Sequence, residues 1–351
     1  MESALDLILL AAAWAHVFLA PYTKVEESFN LHAAHDVFFH GVSKSALRKY
    51  DHFVFPGVVP RSFVGSVFLG GTARPVVALL SKIGLVQTKL DVQIISKDTD
   101  SRNIFQRIKA SIWRRFGRRT AILFALLSAI QFHLPFWMGR TLPNMLALIP
   151  FNEALAQMIS IDGSSEVAVV MLTFAAVVFR AELAVYLAVY GFFVLLKSRV
   201  KFKRLFFIEK MDVAGAARLE LQCSSGEERG MGGTILGTLA ITSLLTHISY
   251  SNYPGGEALY LMNQIKLENV NLHVGNLAAQ SGASLFLQEH SSPFLSLERN
   301  LVARPGNWTY DKTEHLLDLH PYSHAIVESL EMVPDWKIEG KVYAFDGLSR
   351  Q

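Results

Sequence analysis

Residues 21–62 read PYTKVEESFNLHAAHDVFFHGVSKSALRKYDHFVFPGVVPRS. The stretch holds the adjacent carboxylates Glu26 and Glu27, the histidines His32, His35, His40 and His52, Asp51 beside His52, a Pro-Gly turn and Arg61. No other part of the chain sets so many ionisable groups against so many aromatic ones. It is flanked by two apolar blocks, Leu5–Ala20 before it and Phe63–Leu80 after it. A polar, aromatic loop between two such blocks reads as a site held at a membrane surface.

Composition agrees with that setting. Of the 351 residues 51% are hydrophobic and only 18% are charged, where a soluble domain usually carries about 25% charged residues. The net charge of +3 is too small to argue for nucleic acid as a partner. The single cysteine, Cys223, excludes an internal disulfide and a cysteine-built metal site.

The basic residues are clustered, and the clusters orient the chain. Residues 82–119 carry ten Lys or Arg against three Asp or Glu and end in WRRFGRR, and 197–204 reads KSRVKFKR. The positive-inside rule assigns 82–119 and 197–231 to the cytosol. The loop 21–62 then faces the opposite, lumenal side. The block Leu5–Ala20 reads as a retained span rather than a cleaved signal, since it lacks a basic leader and a small-residue cleavage site. Thr120–Met138 crosses outward and delivers Gly139–Asn144, GRTLPN; Met145–Ile161 returns. Val167–Leu196 is too long for one span and carries Arg180 and Glu182 at its middle, so it is expected to break at FRAEL into two short helices. Gly233–Tyr250 is a last, marginal span.

The expectation is an all-α polytopic membrane protein of about seven spans, with residues 1–250 in the membrane domain and 251–351 forming a small α/β lumenal domain. Within the latter, GGEALYLMNQI reads as a helix and NLHVGN as a strand. Asn307-Trp308-Thr309 is a glycosylation acceptor pattern consistent with a lumenal position.

An exposed Glu-Glu pair is most often a solvated loop. The deduced topology, however, gathers Glu26, Glu27, Asp51, Arg61, Arg140 and Arg180 at one membrane face. A carboxylate there is suited to accept a proton. Arginines suit a phosphate, because the guanidinium is a fixed bidentate fork that stays charged. Snorkelling to lipid headgroups or a structural ion pair is the alternative for each arginine, and for Arg180 a pair with Glu182 accounts equally well. The histidines follow no zinc spacing, and no metal site is expected.

The runs KVEESFNLHAAHD, YDHFVFPGVVPRS, QFHLPFWMGRTLPNMLAL, VVFRAEL and SNYPGGEAL resemble one family, the dolichyl-phosphate-mannose-dependent mannosyltransferases of the endoplasmic reticulum (glycosyltransferase family 22), whose membrane-embedded fold is called GT-C. The similarity covers roughly 5–204 and 233–288. PYTKVEESFN together with FPGVVPR resembles the members that add an α-1,6-linked mannose to a seven-mannose dolichyl-linked oligosaccharide. Members forming α-1,2 linkages or building the GPI anchor are the alternative, as are a shortened, inert homologue and a transporter. Family members are longer, with around a dozen spans, and a His-Lys-Glu-Arg-Phe-like motif expected between 203 and 233 is missing here.

The resemblance implies inverting transfer from dolichyl phosphate mannose to a lipid-linked acceptor at the endoplasmic-reticulum membrane, with a lumenal site and no cofactor. It implies Glu26, or else Glu27, as general base. Arg61 and Arg140 are the expected phosphate ligands, and Asp51 and His52 orient the acceptor or the loop. Asn144, Arg180 and Glu182 are further expected substrate contacts.

Overall fold

In a computed structural model the described residues are 2–54, 62–98, 101–199, 227–295 and 308–345, apart from 315 and 317. They form α1 (Glu2–Leu19), α2 (Val25–His40), α3 (Lys44–Leu47), α4 (Val64–Lys82), α5 (Lys89–Asp98), α6 (Ser101–Phe116), α7 (Arg118–Ile130), α8 (His133–Met138) and α9 (Pro143–Ile159). The helices α10 (Ser165–Phe174), α11 (Ala184–Arg199), α12 (Glu227–Tyr250), α13 (Pro254–Asn263) and α14 (Asn276–Gln280) follow, with three strands near the C-terminal end: β1 (Asn271–Val274), β2 (Thr309–Asp311) and β3 (His324–Ile326). The chain is thus mainly helical with a small parallel sheet.

Two compact units divide it. One comprises 1–12, 103–135 and 147–245; the other comprises 13–102, 136–146 and 246–351. This partition departs from the expected boundary near residue 250. Residues 251–351 share a unit with 21–54 because they share a core: Leu259, Met262, Leu272, Leu287 and Trp308 pack together, with Tyr22 and Leu90 against them.

In that second unit, α2 starts with Glu26 and Glu27 in its first turn, where carboxylates complement the positive helix end. It stops at Gly41, whose φ of 79° is a conformation that favours glycine and whose N–H bonds to the Val37 carbonyl. Helix α4 lies along α2 and buries Gly65, Ser66, Leu69, Gly70, Ala73 and Val77. That stripe of mostly small side chains lets the backbones approach. A Cβ at Gly70 would lie 2.8 Å from Val37 Cγ1 and 2.9 Å from the Ala34 carbonyl oxygen. The sheet has the order β2-β1-β3 with both pairings parallel, Leu272 standing between Tyr310 and His324. Helix α13 and strand β1 fall where the sequence pattern places them.

In the first unit the expected break at FRAEL is present. A π-helical turn at Ala175–Phe179 follows α10, Arg180 is extended (φ −145°, ψ 105°), and α11 resumes after a short turn. Asp6, which interrupts the first apolar block, accepts from the buried Lys109 ammonium of α6. Many apolar side chains face outward here, among them Val177, Val185, Val189, Phe192, Leu236 and Ile241.

Among the described residues one helix, Val64–Lys82, is long and apolar enough to cross a membrane; Ala4–Leu19, Ser165–Phe179 and Ala181–Leu196 are shorter apolar helices. Arg61, Cys223, Asn307 and most of the basic stretch 197–231 lie outside the described residues.

Candidate active site

Successive residues at the start of α2 point to opposite environments. Glu26 is exposed, while Glu27 is 2% exposed. Glu27, Asn30, Leu31 and Ala34 lie on the buried face, while Glu26 lies at the edge of that face, in the exposed first turn, with half-buried Phe29 one turn on.

A buried carboxylate must be matched by charge or by hydrogen bonds, and Glu27 has both. Arg140 Nη1 lies 3.3 Å from its Oε1, and the backbone N–H of Lys24 donates to the same oxygen at 3.3 Å. The Thr141 N–H donates to Oε2 at 3.4 Å, and Lys97 Nζ stands 3.8 Å from Oε2. Asn30 adds a bond from Nδ2 to the Thr141 carbonyl at 2.8 Å. The segment Arg140–Thr141 is therefore laced onto the first two turns of α2.

Arg140 itself is 4% exposed. Its Nη1 also donates to the Tyr22 carbonyl, and its guanidinium lies 4.4 Å from the centre of the Phe136 ring and 4.9 Å from that of Tyr253. Such faces attract a cation without neutralising it. Nη2 is buried and has no hydrogen-bond partner among the described residues.

A second cluster surrounds Asp51 and His52. Asp51 Oδ2 accepts from Lys312 Nζ at 2.8 Å and lies 3.5 Å from His32 Nδ1. Burial alone would raise the Asp51 proton affinity, but His32 and Lys312 outweigh it and hold the carboxyl below the usual carboxylate range. Its backbone N–H donates to Asp36 Oδ2 at 2.8 Å, and Asp36 Oδ1 is 3.0 Å from His35 Nδ1. Asp36 has the opposite balance: burial pushes it up to about 6, against that one backbone hydrogen bond. The His52 ring packs edge-on against Phe29 at 4.4 Å and against Phe63 at 5.3 Å. Phe29, one turn after Glu26, joins His52 to the first half of α2.

The profile of a family described as Alg9-like mannosyltransferases matches residues 5–220, more than half of the chain. The chain belongs to the Alg9-like mannosyltransferase family. It is 37% identical over 203 residues to the Arabidopsis thaliana protein named Dol-P-Man:Man(7)GlcNAc(2)-PP-Dol alpha-1,6-mannosyltransferase, covering 56% of this chain and 39% of that one. A Saccharomyces cerevisiae protein of the same name is 32% identical over 215 residues, covering 52% of this chain and 36% of its own. The Drosophila melanogaster protein of that name aligns at 25% identity over 446 residues, 93% of this chain and 63% of that one. An alignment longer than the 351-residue chain contains gaps, where the relative has residues that this one lacks. The chain spans under two thirds of the length of each of these relatives. No solved structure gives a significant match.

In this member of the Alg9-like mannosyltransferase family the described residues singled out in the sequence fall into three groups, with Asn144 apart. Glu27 and Arg140 meet directly, and Glu26 adjoins them. Asp51 and His52 sit together farther along α2. Arg180 and Glu182 form their own ion pair at 3.0 Å, with side chains 41% and 71% exposed, in the other compact unit. Asn144 is exposed in the first turn of α9.

One contact runs against the expected topology. Residues 89–98 are part of the stretch expected across the membrane from the Glu27 loop, yet Lys97 Nζ donates to the carbonyls of Pro21 and Tyr22 at 2.8 and 2.9 Å. This helix packs against the turn that precedes α2. The sequence reading counted every basic residue of 82–119 as part of one cytosolic loop, whereas Lys97 and Lys89 are buried and bonded. It also missed Asn30, Thr141, Tyr253 and Lys312. A signal for Lys97 was present: Lys89, Gln93 and Lys97 recur every four residues among Leu90, Val92 and Ile95, the spacing of one helical face.

Proposed function

We propose that the chain is a mannosyltransferase that moves mannose from dolichyl phosphate mannose to a seven-mannose dolichyl-linked oligosaccharide in an α-1,6 linkage, from the lumenal face of the endoplasmic-reticulum membrane. One arrangement carries the reading: in a chain of this family, Glu26 stands outward on a helical turn whose next residue, Glu27, is fixed by Arg140. The names of the relatives supply the linkage and the acceptor.

In the proposed step the acceptor 6-hydroxyl oxygen bonds to the anomeric carbon as that carbon's bond to the phosphate oxygen breaks. The hydroxyl proton passes to the Glu26 carboxylate, and dolichyl phosphate leaves with the electron pair, so the anomeric centre inverts. A positioned carboxylate base contributes on the order of 10²–10⁴-fold. The leaving phosphate needs positive charge more than a proton. Two buried cations, Arg140 and Lys97, face the single buried carboxylate Glu27, and this positive excess suits an anionic group. Arg140 Nη2 is the donor left over for a phosphate oxygen; Arg61 is the second candidate. Asp51 and His52 shape the acceptor side through Phe29, and Asn144 is a further contact. Arg180 and Glu182 enter only as a mutual pair. No cofactor takes part, because the sugar arrives already activated on its lipid phosphate.

Membrane placement is supported by α4 and by the outward apolar side chains of α11 and α12. The test is complementation of yeast that accumulates the seven-mannose lipid, using this chain as written. Eight-mannose lipid carrying a new α-1,6 linkage is expected. Unchanged seven-mannose lipid, with the chain present in membranes, would overturn the reading. That result would favour a shortened, inert homologue, the reading the gapped Drosophila alignment supports.

A further inference from the structure

Helix α5 buries a polar stripe. Lys89, Gln93 and Lys97, at four-residue spacing, are 2%, 0% and 2% exposed. Lys89 Nζ donates to the carbonyls of Gln288 and Ser291 at 2.6 and 2.9 Å. Gln93 donates from Nε2 to the Pro21 carbonyl at 2.8 Å and accepts from the Ser284 hydroxyl at 2.6 Å. Lys97 donates to the Pro21 and Tyr22 carbonyls and faces Glu27. Three polar side chains in a row thus join the turn before α2 to the segment 284–291.

We propose that Lys97 is a positioning residue of the mannosyl-transfer site: its ammonium fixes the Pro21–Tyr22 turn and the Glu27 carboxylate, and so sets the direction in which the first turn of α2 presents Glu26. The inference rests on the function proposed above. Its chemistry is simple. An ammonium has three donor directions; two are taken by the carbonyls, and Glu27 Oε2 stands 3.8 Å from the nitrogen, within ion-pair range. Arg140 reaches the same Tyr22 carbonyl and the same carboxylate from the other side, so the turn and the glutamate are held by two cations at once. Misplacement of a catalytic group by about 1 Å can cost on the order of 100-fold in rate.

Burial holds Lys97 down to about 7, against Glu27, which favours the charged form, and with Arg140, which opposes it. Tyr22 and Tyr253 beside it are pushed up to about 12 by burial and silent near neutrality, and His16, Lys24 and Glu26 are the further titratable groups around Arg140 and Tyr253. Lys97 therefore loses its charge, and its ion pair with Glu27, as pH rises through about 7.

The experiment compares wild type, Lys97→Met and Lys97→Arg in membranes. It measures transfer to the seven-mannose lipid across pH, and hydrogen exchange of the peptide covering 20–30 in the detergent-solubilised chain. Lys97→Met is expected to lower turnover about 10- to 100-fold and to speed exchange at 20–30. Lys97→Arg, whose charge persists, is expected to restore turnover to within about threefold and to remove the alkaline fall in rate expected of wild type. Wild-type turnover and exchange in Lys97→Met would overturn the proposal. So would equal losses in both variants with an unchanged pH profile. If wild type transfers no mannose, the functional reading fails, and the exchange measurement still decides whether Lys97 holds the turn.

Discussion

Two of the Arg–Glu pairs among the described residues, nearly equal in length, stand in opposite surroundings. Arg140 and Glu27 approach to 3.3 Å with side chains 2% exposed; Arg180 and Glu182 approach to 3.0 Å with side chains 41% and 71% exposed. The first pair joins residues 113 positions apart and recruits Lys97, Thr141 and Lys24; the second joins residues two apart at a helix break. Water screens the second, so its members retain their freedom and contribute little. It cannot screen the first, where removing one charge strands the others. Separation does not distinguish a fixed site from a surface contact here; burial does.

The sharpest way to break this contrast is Glu27→Gln. Arg140 and Lys97 would then face a neutral amide in a buried setting, and we expect a loss of about 3–5 kcal/mol, read as a fall in the thermal midpoint of the detergent-solubilised protein. A next, smaller effect concerns the helix pair that carries Glu27. Gly70→Val places a side chain against Val37 and the Ala34 carbonyl, and is expected to cost about 1–3 kcal/mol by overpacking, measured in the same melting assay.

A third test titrates the neighbouring carboxylate. Asp36 binds its proton more tightly when folded, at about 6 against 3.8 for the ordinary side chain. The folded state thus holds more protons than the unfolded one between those values, and stability gains as pH falls through about 6. Wild type should gain about 1–2 kcal/mol relative to Asp36→Asn between pH 6 and pH 4, a difference read from paired melting curves. The smallest effect belongs to the exposed pair: Arg180→Ala should change stability by less than about 0.5 kcal/mol. A large loss there would show that exposure does not separate the two pairs.

The legible parts of the sequence were those set by local chemistry. The break at FRAEL was readable because charges in mid-span force one, α13 begins with Pro254 at its start, and NLHV has the apolar content of a buried strand. The meeting of Arg140 with Glu27 followed from assigning their loops to one face. Lys97 was lost because the charge rule for topology treats a lysine as solvated, and burial of an ammonium depends on carbonyls 75 and 76 residues away. The split between Glu26 and Glu27 was also hidden, since α2 mixes polar and apolar residues on both faces and only its packing against Thr141 and α4 reveals which side is inward.

Mannose transfer by wild type and Glu26→Gln, compared at matched protein level in the same membranes, tests the central claim most directly. With the outward glutamate as the proposed base, the amide is expected to lose about 10²-fold or more in turnover while Glu27 and Arg140 stay paired and the melting midpoint holds. Transfer at the wild-type rate by the Glu26→Gln chain would contradict the account.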